Sequence, residues 1–234
     1  MIQADTVFED DTLILSKTAY GGPPTGRSLL SFTGVGHEMN GIDVQRPEFF
    51  RAGSGYDFVY FIIDRKRTWG NALDFDRISD LIRQDGPDQT YHALGNSLGG
   101  FLALLAPSVL AVPVTQSVAF VPQFSMHPDI VPWEDRYVKY QKHITDWPIP
   151  SLDGRFVDTC HYSIITSGLG NDVKHADLFP QLSNISVFKL RRFAHNVARD
   201  LKRRGMLDEC VSLGLSGRLT ENWAADAMQK PVLS

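Results

Sequence analysis

Cysteine is nearly absent: the 234-residue chain has two, Cys160 and Cys210. Two thiols do not make the disulfide framework of a small secreted domain, and by themselves they cannot close a zinc site. No C-x-x-C or H-E-x-x-H spacing occurs, so no metal or other cofactor is expected. Positive charge is not in excess either. Lys and Arg total 23 against 27 Asp and Glu, a formal charge of −4, which gives no global attraction to nucleic acid. Long apolar runs are missing as well. The longest, Phe101 to Val114, is shorter than a membrane span and contains Pro107 and Pro113. The first ten residues have neither a basic region nor an apolar one, so no secretory leader is expected. Unpaired thiols and no leader together point to a cytoplasmic protein.

What is present suits a packed globular chain. Hydrophobic residues make up 43%, and a chain of this length buries roughly 70% of its unfolded surface. It therefore needs no staples. Eight β-rich runs stand out. Ala4 to Phe8 and Thr12 to Ser16 flank the acidic turn Glu9-Asp10-Asp11, which predicts a hairpin. Ser28–Thr33, Phe58–Ile63, Thr90–Gly95, Thr115–Phe120, His161–Thr166 and Ile185–Leu190 follow, the first two of them nearly continuous apolar strings like those of doubly covered strands. Helix-period segments alternate with them over Ala72–Gln84, Leu98–Leu105 (stopping before Pro107), Trp133–Ile144, Asn196–Arg204, Met206–Leu213 and Thr220–Met228. Strand–helix alternation predicts an α/β fold: a mostly parallel eight-stranded sheet with helices on both faces. No repeat or linker divides the chain, so residues 1–234 read as one domain.

Residues 121–158 break the alternation. They contain Pro122, Pro128, Pro132, Pro148 and Pro150, with Trp133 and Trp147, and form an excursion too long for an ordinary loop. Two readings stand: a lid over the carboxyl edge of the sheet, or a surface insertion. The aromatics Trp133, Tyr137, Tyr140 and Trp147 have two readings: contact with an apolar or sugar part of a substrate or, for Tyr137 and Tyr140 at helical spacing, packing against the excursion's own helix. The spacing favours the second.

The sharpest local signal is Gly95-Asn96-Ser97-Leu98-Gly99, a G-x-S-x-G string between a strand-like run and an apolar helical run. A sharp strand-to-helix turn puts the serine in a strained conformation, and glycines on either side avoid collisions with neighbouring backbone. A phosphate loop would require G-x-x-x-x-G-K-[ST], and a dinucleotide loop G-x-G-x-x-G; neither spacing fits here.

On these residues the chain resembles the serine α/β-hydrolase superfamily of esterases and lipases. The resemblance covers most of the chain: eight runs in order, the serine turn after the fifth and the excursion after the sixth. It implies an α/β-hydrolase fold and a triad in the chain order serine, acid, histidine. Ser97 is then the nucleophile. His195, in the loop after the eighth run, takes the place of the base, and Asp172, after the seventh, that of the orienting acid, with Asp177 a competitor. For the oxyanion site the resemblance implies the backbone N–H of Leu98 and one from the loop Thr33-Gly34-Val35-Gly36-His37-Glu38, with Val35 first and Gly36 second. The family's frequent His-Gly order appears here as Gly-Val-Gly-His. His37 either lines the site or caps the loop.

Two basic clusters follow strand ends, at Arg65 within Asp64-Arg65-Lys66-Arg67 and at Arg191-Arg192. Facing the pocket, they would favour an anionic substrate; solvated or paired with nearby acids, they would carry no such meaning. The expected activity is metal-independent cleavage of a small-molecule ester or thioester through an acyl-enzyme. An acyltransferase with the same triad, a peptidase of the same fold and a non-catalytic binding protein are the alternatives.

Overall fold

The computed structural model describes residues 4–39, 42–84 and 88–232; the N-terminal reading of Met1 to Gln3 lies outside them. The chain opens with β1 (Asp5–Glu9) and β2 (Leu13–Ala19), an antiparallel hairpin. Its turn is fixed by Asp10, whose carboxylate accepts from the Thr12 amide at 2.7 Å, the Thr12 hydroxyl at 2.8 Å and the Leu13 amide at 2.8 Å. After β3 (Arg27–Phe32) comes a small antiparallel pair, β4 (His37–Met39) and β5 (Ile42–Val44), which sequence patterning did not indicate. A 3-10 turn at Phe50–Gly53 leads to β6 (Phe58–Asp64) and α1 (Phe75–Arg83).

The remaining elements alternate: β7 (Thr90–Asn96), α2 (Leu98–Val109), β8 (Val114–Phe120), α3 (Val138–Gln141), β9 (His161–Ser167), α4 (Gly170–Ala176) and β10 (Ile185–Leu190). Three helices close the chain: α5 (Val197–Arg203), α6 (Leu207–Leu215) and α7 (Glu221–Gln229). The main sheet has eight strands in the order β1-β2-β6-β3-β7-β8-β9-β10. Pairing is antiparallel at β1/β2 and β2/β6 and parallel from β6 onward. The predicted mostly parallel sheet is therefore present, and the chain has the α/β-hydrolase fold.

Two buried clusters lie on opposite faces of the sheet. Along β6, Tyr60 and Ile62 join one, while Val59 and Phe61 join the other, as the period of two requires. The first cluster takes Ile78 and Ile82 of α1 and Leu98, Phe101, Leu102, Leu104 and Leu105 of α2. Each such side chain is worth about 1.5–3 kcal/mol when fully buried. The second takes Val197 and Leu201 of α5, Cys210 and Val211 of α6, and Trp223 of α7. Both cysteines are buried free thiols, and burial pushes the Cys160 thiol up to about 12.

Two helix boundaries differ from the sequence reading. Helix α2 runs past Pro107 to Val109. Proline there cannot donate to the carbonyl of Ala103, and the Ser117 hydroxyl does so instead at 2.8 Å, so the helix continues at little cost. The predicted helix over Trp133–Ile144 contracts to Val138–Gln141. In its first part the Arg136 amide donates to the Glu134 carboxylate at 3.0 Å rather than to a helix carbonyl. Among the described residues, no helix is long and apolar enough to cross a membrane.

Candidate functional site

Ser97 stands between β7 and α2 with φ 57° and ψ −120°, the strained geometry expected of a sharp strand-to-helix turn. The flanking glycines are required by close approach. A Cβ on Gly95 would lie 2.0 Å from the Gly99 carbonyl oxygen, and one on Gly99 would lie 2.1 Å from that of Phe32. Ser97 itself is buried, with its amide donating to the Phe120 carbonyl at 2.8 Å.

Asp172 and His195 meet because their strands are parallel neighbours. Ser167 at the end of β9 pairs with Leu190 at the end of β10. The Ser167 hydroxyl donates to the Phe193 carbonyl at 2.7 Å, and the Gly168 amide donates to the Leu190 carbonyl at 3.0 Å. Asp172, in the first turn of α4, then reaches His195 in the loop before α5. Its Oδ1 and Oδ2 lie 2.9 and 3.1 Å from His195 Nδ1, and Nε2 lies 3.3 Å from Ser97 Oγ. Burial opposes ionisation of Asp172, but the hydrogen bond and charge of His195 and the Arg136 guanidinium hold its carboxyl below the ordinary carboxylate range. A carboxylate only accepts, so His195 carries its proton on Nδ1 and offers Nε2 as the acceptor. Asp177 is elsewhere, paired with Lys189 at 2.5 Å.

The excursion over residues 121–158 supplies four side chains that sequence reasoning did not place around Ser97, His195 and Asp172. The Tyr137 hydroxyl lies 2.8 Å from His195 Nε2 and 3.1 Å from Ser97 Oγ. It was expected to pack within its own helix; instead its ring turns inward against Trp69, with centroids 5.5 Å apart. Gln123 is buried, and its Nε2 points to Ser97 Oγ at 3.4 Å. Its orientation is set by Trp69, whose donor-only indole N–H meets Gln123 Oε1 at 3.0 Å. The loop carrying Trp69 is held by buried Asp64, which accepts from the amides of Thr68 at 2.7 Å and Gly70 at 3.2 Å.

Arg136 and Glu134 complete the surroundings. Arg136 Nη1 donates to Asp172 Oδ1 at 2.7 Å, while its Nε and Nη2 reach the two oxygens of buried Glu134 at 2.9 and 2.5 Å. Glu134 also accepts from His175 Nε2 at 3.0 Å. His175 Nδ1 takes the Phe124 amide at 3.1 Å, which fixes a neutral ring, and burial lowers its proton affinity.

The other sequence candidates are distributed around this array. Leu98 is the first residue of α2, where a helix amide has no intrahelical acceptor. Gly34 lets the β3 loop lie on the serine turn: a Cβ there would sit 2.9 Å from the Asn96 carbonyl oxygen. Val35 follows it, its carbonyl accepting from Arg67 at 3.2 Å. Gly36, at φ 82°, packs on the hairpin instead, where an added Cβ would be 2.1 Å from the Val44 oxygen. His37 lines a groove of about 1240 Å³ together with Asn96, Glu48, Phe49, Arg199 and Lys202. Arg65 is drawn to Glu9 at 3.0 Å and to the Asp10 carbonyl, because the β1–β2 turn presents two acceptors beside it. Arg191 and Arg192 are exposed. Among the described residues none of these three arginines contacts Ser97, His195 or Asp172, so the cation at the array is Arg136. No group of three His, Cys, Asp or Glu able to hold a metal occurs among the described residues.

No family model matches the chain. Its fold, however, is that of solved α/β-hydrolases. XC6422 from Xanthomonas campestris, an α/β serine hydrolase without lid, superposes with a TM-score of 0.53 at 14% identity, covering 93% of this chain and 95% of that one. The esterase LipW from Mycobacterium marinum gives 0.56 at 13%, covering 97% and 82%. The Gap123 glycosylation-associated protein complex from Streptococcus agalactiae gives 0.58 at 10%, covering 90% of this chain and 46% of that one. The chain thus shares its fold with solved serine α/β-hydrolases. Among curated proteins, the ATP-dependent zinc metalloprotease FtsH 2 of Petrotoga mobilis is 31% identical over 87 residues, which is 37% of this chain and 13% of that protein. The H-E-x-x-H spacing of zinc proteases does not occur here.

Proposed function

We propose that this chain is a serine hydrolase that cleaves a small carboxylic ester or thioester through an acyl-enzyme. The observation that carries this reading is Ser97 Oγ on its strained turn, 3.3 Å from an imidazole whose far nitrogen is 2.9 Å from Asp172. Ser97 Oγ attacks the substrate carbonyl carbon as its proton passes to His195 Nε2. Asp172 orients the ring and stabilises the imidazolium. The Leu98 and Val35 amides receive the developing oxyanion. Collapse expels the alkoxide or thiolate, which takes the proton from Nε2, and water repeats the sequence to release the acid. Two buried free thiols suit a reducing cytoplasmic setting.

A fluorophosphonate probe tests the reading without knowledge of the substrate. The folded chain is expected to be labelled at neutral pH and Ser97→Ala not at all. Asp172→Asn should slow labelling by about a hundredfold or more, whereas Asp177→Asn should leave it unchanged. Absence of labelling in folded protein would count against hydrolysis and leave the binding alternative.

A further inference from the structure

The charge on the acid of a Ser–His–Asp array decides how readily its histidine accepts a proton, and here that charge is contested. Arg136 Nη1 holds the same oxygen, Asp172 Oδ1, that faces His195 Nδ1, at 2.7 Å and 2.9 Å respectively, and lies only 3.1 Å from Nδ1 itself. A lone guanidinium in that position would cancel the Asp172 charge and repel an imidazolium. It is not alone. Glu134 grips the other edge of the guanidinium through Nε and Nη2, and neutral His175 donates to Glu134 from behind. With Arg136 shared between two carboxylates, the group Asp172–Arg136–Glu134 has a net charge of −1, and the four residues together sum to zero once His195 is protonated. Desolvation opposes charge on Glu134, but the bonds from Arg136 and His175 hold its carboxyl well below the usual carboxylate range.

We propose that Glu134 and Arg136 are positioning residues that together set the proton affinity of His195. Arg136 fixes the Asp172 carboxylate against Nδ1, and Glu134 cancels the guanidinium charge so that the Asp172 charge still acts on the ring. The catalytic meaning of this arrangement rests on the serine hydrolase reading; the electrostatic arrangement itself does not. The groups facing His195 are Ser97 from the serine turn, Asp172 from α4 with His175 behind Glu134, and Arg136 and Tyr137 from the excursion. Asp135 on the same turn is exposed and held by Asn171 at 3.4 Å, and Arg191 and Arg192 on the histidine's own loop are exposed.

The test is an NMR titration of the His195 ring in the full chain, isotopically labelled at histidine and assigned with His195→Gln. Glu134→Gln leaves the guanidinium charge on Asp172 and should lower the His195 midpoint by about one pH unit; Arg136→Gln should raise it by a similar amount. The double variant Glu134→Gln/Arg136→Gln should return it to within a few tenths of the wild-type value. A purely structural role would disturb the Asp172–His195 contact in both single variants and move both midpoints downward. Shifts of the same sign, or no shift in either, would overturn the proposal. Should Glu134→Gln fail to fold, Arg136→Gln and Arg136→Lys carry the test: the first should move the midpoint up, and the second, which keeps the charge, should leave it in place. A downward move in Arg136→Gln overturns the proposal. Because the readout needs no turnover, an unlabelled wild type in the fluorophosphonate assay would refute hydrolysis while the titration still decides the role of the pair.

Discussion

Replacing Tyr137 by phenylalanine removes one oxygen and keeps the ring packed on Trp69. The affected geometry is tight. His195 Nε2 has one lone pair, and of the two hydroxyls within reach, that of Tyr137 at 2.8 Å is closer than that of Ser97 at 3.3 Å. In the structure the phenol therefore holds His195 Nε2, and the Ser97 hydroxyl is left to donate to the phenol oxygen at 3.1 Å. For Ser97 to transfer its proton directly, the Tyr137–His195 bond must first break. A net hydrogen bond of this kind is worth about 0.5–1.5 kcal/mol, so Tyr137→Phe should speed fluorophosphonate labelling about 2- to 10-fold. Burial already raises the tyrosine's own proton affinity, so the phenol is protonated near neutrality and its O–H is the group being removed. The assay is the second-order labelling rate at pH 7 to 8, with the denaturation midpoint measured in parallel to show an intact fold. Slower labelling in a folded Tyr137→Phe protein would refute this reasoning. It would mean that the phenol passes the Ser97 proton on to His195 rather than blocking it.

Two further outcomes concern stability. His92 is buried, with its Nδ1 against the Tyr56 hydroxyl at 2.7 Å; burial and then the Arg27 charge lower its proton affinity to about 4. The unfolded chain binds that proton near pH 6.5 and the fold does not, so stability is lost as pH falls from 6.5 toward 4, by about 2 kcal/mol between pH 7 and pH 5. Urea midpoints of wild type and His92→Gln at those two pH values test this, and an equal acid loss in both would remove the assignment. Gly99→Ala places a Cβ 2.1 Å from the Phe32 oxygen and 2.7 Å from its carbonyl carbon. Helix α2 must then separate from β3, at a cost of more than about 4 kcal/mol; a denaturation midpoint near the wild-type value would contradict the close approach.

Much of the architecture was legible because it is written in local pattern. Ile185–Leu190 reads as a strand with the bounds that the fold adopts, and Asp10 closes the first hairpin through contacts two and three residues away. The turn at Ser97 is legible for the same reason, since Gly95 and Gly99 are needed within five residues of each other. Pro107 misled because the donor that satisfies Ala103 comes from Ser117, on the next strand. The basic clusters left two readings open because charge in a sequence has no direction: Arg65 turns to Glu9, 56 positions away.

Residue order alone determined the strand and helix succession and the serine turn, because periodicity and glycine sterics act over a few neighbours; the places of Asp172 and His195 came from the family resemblance. Tertiary structure decided who surrounds the array. Glu134 and Arg136 are two apart, a spacing that points them away from each other on a helix. Only the tight turn taken by this segment folds the guanidinium back onto Glu134 and across to Asp172 at 2.7 Å. That turn is held by buried Asp172 and His175 of α4, more than 30 positions away, and contacts between distant segments leave no periodic trace along the chain.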